Sequence, residues 1–67
     1  MAKTREQKLF GAAVLKTSFK LRDALESQAF KGVYPGVLRD LGLEDADVER
    51  YIADHRGAVE KAARGEP

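Results

Sequence analysis

The chain has 67 residues, no cysteine, one histidine and a formal net charge of +1. A domain of this length buries only about 60% of the surface its unfolded chain exposes, and the usual staples of small folds, disulfides and a clustered metal-ligand set, are missing from the sequence. The longest apolar run, Leu9 to Leu15, is closed by Lys16 and falls far short of the roughly 20 residues that span a bilayer, so a buried helical face is expected there, in a cytoplasmic protein, rather than a transmembrane or secretory segment.

Thr4 and Gln7 have the spacing of a capping box, in which the threonine hydroxyl accepts from the third helical amide and the glutamine reaches back. A helix is predicted from Arg5, and with Gly11 as the one weak breaker it runs to about Ala29. At about 100° per residue, Phe10, Val14, Leu21 and Leu25 form its main apolar stripe. Ala12, Leu15 and Phe19 lie on a second side, so the helix needs two packing partners, from this chain or from another. Leu15 and Phe19 are assigned to a homodimer seam, because a monomer with so small a core leaves them exposed.

Phe30 to Gly36 reads as a connection, since Gly32 and Gly36 loosen the backbone and Pro35 turns Tyr34 away from helical geometry. Pro35 suits the first position of a short second helix that reaches about Leu41. Gly42 stops that helix in the left-handed conformation. A third helix then starts with either Glu44 or Asp45 as its cap: Asp45 is the more typical capping residue, whereas Glu44 would make Leu43 and Val48 a hydrophobic staple. Val48, Tyr51, Ile52, His55 and Val59 keep one helical phase across Gly57, which predicts a continuous helix to about Arg64, with a break after Arg56 as the alternative. The expected architecture is all-α: a single domain over residues 1–67, built as a small three-helix unit with a long amphipathic N-terminal helix, dimeric, and frayed at residues 1–4 and 65–67.

Charge is distributed unevenly. Residues 1–39 carry a net of +5 and residues 40–67 a net of −4, a dipolar arrangement that favours pairing between opposite halves. Glu44, Asp45, Asp47 and Glu49 crowd the start of the third helix. Carboxylates there interact favourably with the helix dipole, each by about 0.3–1 kcal/mol; the functional reading is an acidic docking patch for a basic surface, including another copy of the first helix. Tyr34 either folds onto the core or is displayed to a partner as an interface anchor.

Val37, Leu38, Leu41, Gly42, Leu43, Val48, Tyr51 and Ile52 have an apolar spacing around a glycine turn that resembles the helix-turn-helix superfamily over Val37 to Ile52, a quarter of the chain. The resemblance implies a DNA-binding regulator in which Arg50 reaches a base edge and Lys16, Lys20 and Arg39 contact phosphates. The chain departs from the family pattern in Leu38, where a small residue is usual, and in the acids that open the presumed recognition helix. These departures place DNA binding second.

Catalytic chemistry has no foothold in the sequence. With one histidine, no cysteine and serines only at Ser18 and Ser27, no triad can be assembled, and the carboxylates around Asp45 do not follow a calcium-loop spacing. No catalytic, cofactor-binding or metal-binding residue is assigned, and no small-molecule substrate is expected. His55 is expected at a partly buried edge. The sequence therefore points to a non-enzymatic protein-interaction or regulatory module, with Leu15, Phe19, Tyr34 and the acidic cluster as its interface; a structural oligomer is the third reading.

Overall fold

The computed structural model describes residues 3–65, so the frayed ends expected at residues 1–2 and 66–67 lie outside the described residues. Within it the chain is all-α, with α1 (Arg5–Leu21), α2 (Gln28–Leu41), α3 (Asp45–Asp54) and α4 (Arg56–Ala63). Helix α1 is the hub: α2, α3 and α4 all pack on it, and α3 and α4 also meet each other. None of these helices is long and apolar enough to cross a membrane.

The start of α1 follows from its first residues. The Gln7 amide donates to the Thr4 hydroxyl at 3.1 Å and the Thr4 amide donates to Gln7 Oε1 at 3.0 Å, which satisfies two of the four amides that a helix start leaves without partners. Its end corrects the sequence reading. The helix stops at Leu21 rather than near Ala29 because Asp23 takes a left-handed φ of 54°. The Ala24 amide then donates to the Phe19 carbonyl at 2.8 Å and the Asp23 amide to Lys20 at 3.0 Å, the paired bonds of a Schellman end. Glycine usually occupies that position, which is why the stop was invisible in the sequence.

Ser27 opens α2 at once. Its hydroxyl accepts from the Phe30 amide at 3.2 Å and donates to the Ala24 carbonyl at 2.6 Å. The stretch Phe30 to Gly36, expected as a connection, is helical, and Pro35 lies inside α2 rather than at its first turn. A proline in a helix interior costs about 3 kcal/mol, so tertiary packing must outweigh it. Phe30 stacks on Tyr34 one turn later (centroids 4.7 Å apart, planes 16° apart) and meets Phe19 of α1 at 5.1 Å. Pro35 and Lys31, the residue whose carbonyl loses its usual donor, are both exposed, and an exposed carbonyl is satisfied by water at little cost.

Gly42 behaves as its sequence context predicts, with φ 69° and ψ 34°. The Leu43 amide donates to Leu38 at 2.9 Å and the Gly42 amide to Arg39 at 3.2 Å, a second Schellman end. Glu44 is the N-cap of α3, and Leu43 and Val48, the expected staple, are both buried in one cluster with Ala12, Ala13 and Val59. The expected continuous third helix is broken at His55 (φ −130°, ψ 34°), which ends α3 and begins α4. Asp54, His55 and Gly57 are weak helix formers, and the bend lets α3 and α4 both lie against α1. Four helices among the described residues replace the expected three.

The centre of α1's buried face also differs from expectation. Ala12 and Ala13 are fully buried and Thr17 nearly so, while Phe10 and Val14 flank them half-buried and Leu21 is 44% exposed. Small side chains allow neighbouring helices to approach closely, so the large residues of the stripe become the margins of the core. Val48 and Val59 are its largest fully buried side chains.

Candidate functional site

Two features carry the chemistry of the surface: a polar junction that joins α1, α2 and α3, and an open cleft beside it. At the junction, Lys16 Nζ lies 2.8 Å from Asp45 Oδ1 and 2.5 Å from Glu49 Oε1. The Tyr34 hydroxyl donates to the same Asp45 oxygen at 2.7 Å, and the ammonium sits 5.5 Å from the centre of the Tyr34 ring, within cation–π range. Only 13% of the Lys16 side chain is exposed, against 54% for Asp45 and 55% for Glu49. The lysine is therefore drawn into the fold while the carboxylates keep contact with water.

The electrostatics follow from that geometry. Burial pushes the Lys16 pKa down, but its hydrogen bonds and attraction to Asp45 and Glu49 together prevail and hold it above the ordinary lysine value. Hydrogen bonds from Lys16 and then Tyr34 hold the Asp45 carboxyl below the ordinary aspartate value, against burial. Burial first, and then the bond to Asp45, pushes the Tyr34 phenol well above its ordinary value. The junction thus gathers a charged lysine and a neutral phenol on the Asp45 carboxylate, with Glu49 as the lysine's second partner.

A second pair extends the pattern, with Arg5 lying 3.5 Å from Asp47, whose carboxylate also accepts from the Glu44 amide at 3.1 Å. Three of the four acids at the start of α3 are therefore met by cations of α1 in the same chain. Glu44 is exposed at the cap. The basic first half and acidic second half of the sequence are complementary because these two helix faces meet.

The remaining residues singled out in the sequence are dispersed. Leu15 is half-buried, and Phe19 is half-buried against Phe30, with the Arg22 guanidinium 4.8 Å from its ring. The strip expected as a dimer seam thus finds cover at Phe19 from Phe30 of α2, in a stretch expected to be a connection but helical in the structure. Tyr34 is folded onto the core and 6% exposed, the first of the two placements expected of it. Lys16 is committed to the acids of α3. Lys20, Arg39 and Arg50 are exposed on three different helices and make no ion pair among the described residues. His55 is exposed rather than partly buried, its ring 4.2 Å from that of Tyr51.

Next to the junction, the C-terminal end of α1, the turn after it and the facing sides of α3 and α4 enclose a cleft of about 160 Å³. Leu21, Leu25 and Ile52 supply its apolar lining, with Lys20, Arg56 and Glu60 around them. Thr17 also lines it, and its hydroxyl is buried with no hydrogen-bond partner. Sequence reasoning missed this site because it placed Leu21 and Leu25 on a buried stripe of a longer helix. Ser27, of a residue type that caps helices, is the one local signal that a new helix begins just after Leu25. No protein-family model, curated protein or solved structure matches the chain.

Proposed function

We propose that the chain is a small, non-enzymatic interaction module of the cytoplasm that binds a partner protein through the cleft between α1 and the α3–α4 pair. The observation that carries this reading is the contrast between the two features: three of the four acids of the cluster are answered inside the chain, whereas the cleft combines an exposed Leu21 with Lys20 and Arg56, both without an ion pair among the described residues. Apolar anchors rimmed by unanswered charge are the usual composition of a protein-binding surface. The same contrast weakens the case for a homodimer, since the charge complementarity and the Phe19 packing that a second copy would supply are met within one chain.

The nucleic-acid alternative has less support. A recognition helix directs its N-terminal residues at base edges, but here Asp45, Asp47 and Glu49 at that end reach for Arg5 and Lys16 of α1. Of the cations the helix-turn-helix resemblance assigns to phosphate, Lys16 is withdrawn from the surface. Sedimentation velocity with duplex DNA across a salt series tests this directly: the protein is expected to sediment independently of DNA even at low salt. A complex that dissolves steeply as salt rises would overturn the reading. In parallel, a protein retained by immobilised wild type is expected to be lost with Leu21→Asp and kept with Val33→Asp, an equally exposed apolar site on α2.

A further inference from the structure

The dimensions of the cleft restrict what enters it. Small-molecule and cofactor sites run to about 300–1,000 Å³, so a volume of about 160 Å³ is too small for most metabolites. A cavity of about 150 Å³ lined by leucine, isoleucine and phenylalanine accepts benzene, which matches one large apolar side chain. Leu21, Leu25 and Ile52 give this cleft an apolar floor of that kind, although, unlike that cavity, it is open and its other lining residues are polar or charged.

The charge at the mouth restricts what flanks that side chain. Lys16 and Glu49 answer each other at one wall. That leaves Lys20 and Arg56 against Glu60, an excess of one positive charge. Both cations are exposed, so they are free to meet an incoming anion. Thr17 contributes to the inner wall, but its hydroxyl is buried beneath the surface, so the polar contacts of an occupant fall to the rim.

We infer that the cleft receives a single aromatic or leucyl side chain carried on an acidic peptide segment of a partner protein, with carboxylates beside the anchor meeting Lys20 and Arg56. This rests on the interaction-module reading above and adds the chemistry of the occupant. A phosphate backbone answers the cations equally well but offers no side chain for the apolar floor.

Titration of ¹⁵N-labelled protein with three capped pentapeptides tests the inference: Glu-Glu-Phe-Glu-Glu, the same peptide with alanine for phenylalanine, and Lys-Lys-Phe-Lys-Lys. The first is expected to shift the amides of Thr17, Leu21 and Ile52 saturably, with an affinity at least tenfold above either of the others. The double variant Lys20→Glu with Arg56→Glu, both at exposed positions, is expected to lose at least tenfold for the acidic peptide and to prefer the lysine peptide. Equal binding of the two phenylalanine peptides at the cleft would overturn the acidic occupant while leaving the interaction reading intact. Equal binding of the alanine peptide would overturn the anchor, and shifts confined to other surfaces would overturn the site. Failure of the interaction reading itself is read separately, as salt-sensitive DNA binding in sedimentation.

Discussion

Replacing Tyr34 by phenylalanine removes one oxygen from a side chain that is 6% exposed and leaves its stacking on Phe30 in place. The lost bond is the 2.7 Å donation to Asp45. Hydrogen bonds to charged groups are worth about 1.5–3 kcal/mol. Asp45 keeps Lys16 as a partner, and its side chain is 54% exposed, so water takes the phenol's place. The expected cost is therefore at the lower end, about 1.5 kcal/mol, which for a domain of this size lowers Tm by about 6–12 °C.

The pH dependence has a definite sign on both sides. Asp45 has a folded pKa below its ordinary value of 3.8, so its stabilisation is complete above the unfolded value and lost as pH falls through the folded one. Tyr34 has a folded pKa above its ordinary value of 10.0, so its contribution is complete below about pH 10 and declines as pH rises beyond it. The gap between wild type and Tyr34→Phe should form a plateau between these limits and narrow on each side. Urea denaturation followed by circular dichroism measures it, and the sequence has no tryptophan to complicate a parallel tyrosine titration. A loss below about 0.5 kcal/mol at pH 7 would refute the reasoning. So would a loss that is unchanged in an Asp45→Asn background, because the two sites would then not be coupled.

Other outcomes follow from the backbone. Pro35→Ala should stabilise the protein by up to about 3 kcal/mol, because it restores an amide inside a helix; no gain in thermal melting would favour a loop at that position. Gly32→Ala, whose new methyl group meets nothing within 4 Å, should add about 0.5–1 kcal/mol by the same assay. Asp23→Gly relieves a left-handed aspartate and should stabilise by about 0.5–1 kcal/mol; a destabilised variant would contradict the helix end described here. Phe19→Asp should unfold the chain, because Phe19 packs on Phe30 within it, read as loss of helical circular dichroism, whereas dissociation of an oligomer into folded subunits would restore the seam.

What was legible in the sequence was chemistry that declares itself locally. The Thr4–Gln7 box, Gly42 as a left-handed stop, and the Leu43–Val48 staple around Glu44 all hold, because each depends on residues within one turn of a helix end. The misplaced boundaries have separate causes. Asp23 ends a helix where glycine is usual, and Pro35 survives inside one because Phe30 and Tyr34 anchor α2 to its neighbours. At Pro35 tertiary packing overrides local preference, whereas Asp23 is exposed and stops its helix through local backbone bonds alone. The charge asymmetry was plain, but which face of α1 meets α3 depends on the turn after Leu21, so the partner of Lys16 could not be read from spacing. The cleft was hidden for the same reason.

The pairing of the basic and acidic helices within one chain is directly measurable. An isotope-filtered NOE experiment on an equimolar mixture of ¹³C,¹⁵N-labelled and unlabelled protein separates contacts inside a chain from contacts between chains. The predicted result is a set of cross-peaks between the Lys16 ε-methylene and the Tyr34 ring in the unfiltered spectrum that vanish in the filtered one. The same cross-peaks surviving the filter would show that Lys16 packs on Tyr34 of a second copy, and would contradict the internal pairing from which the cleft was identified.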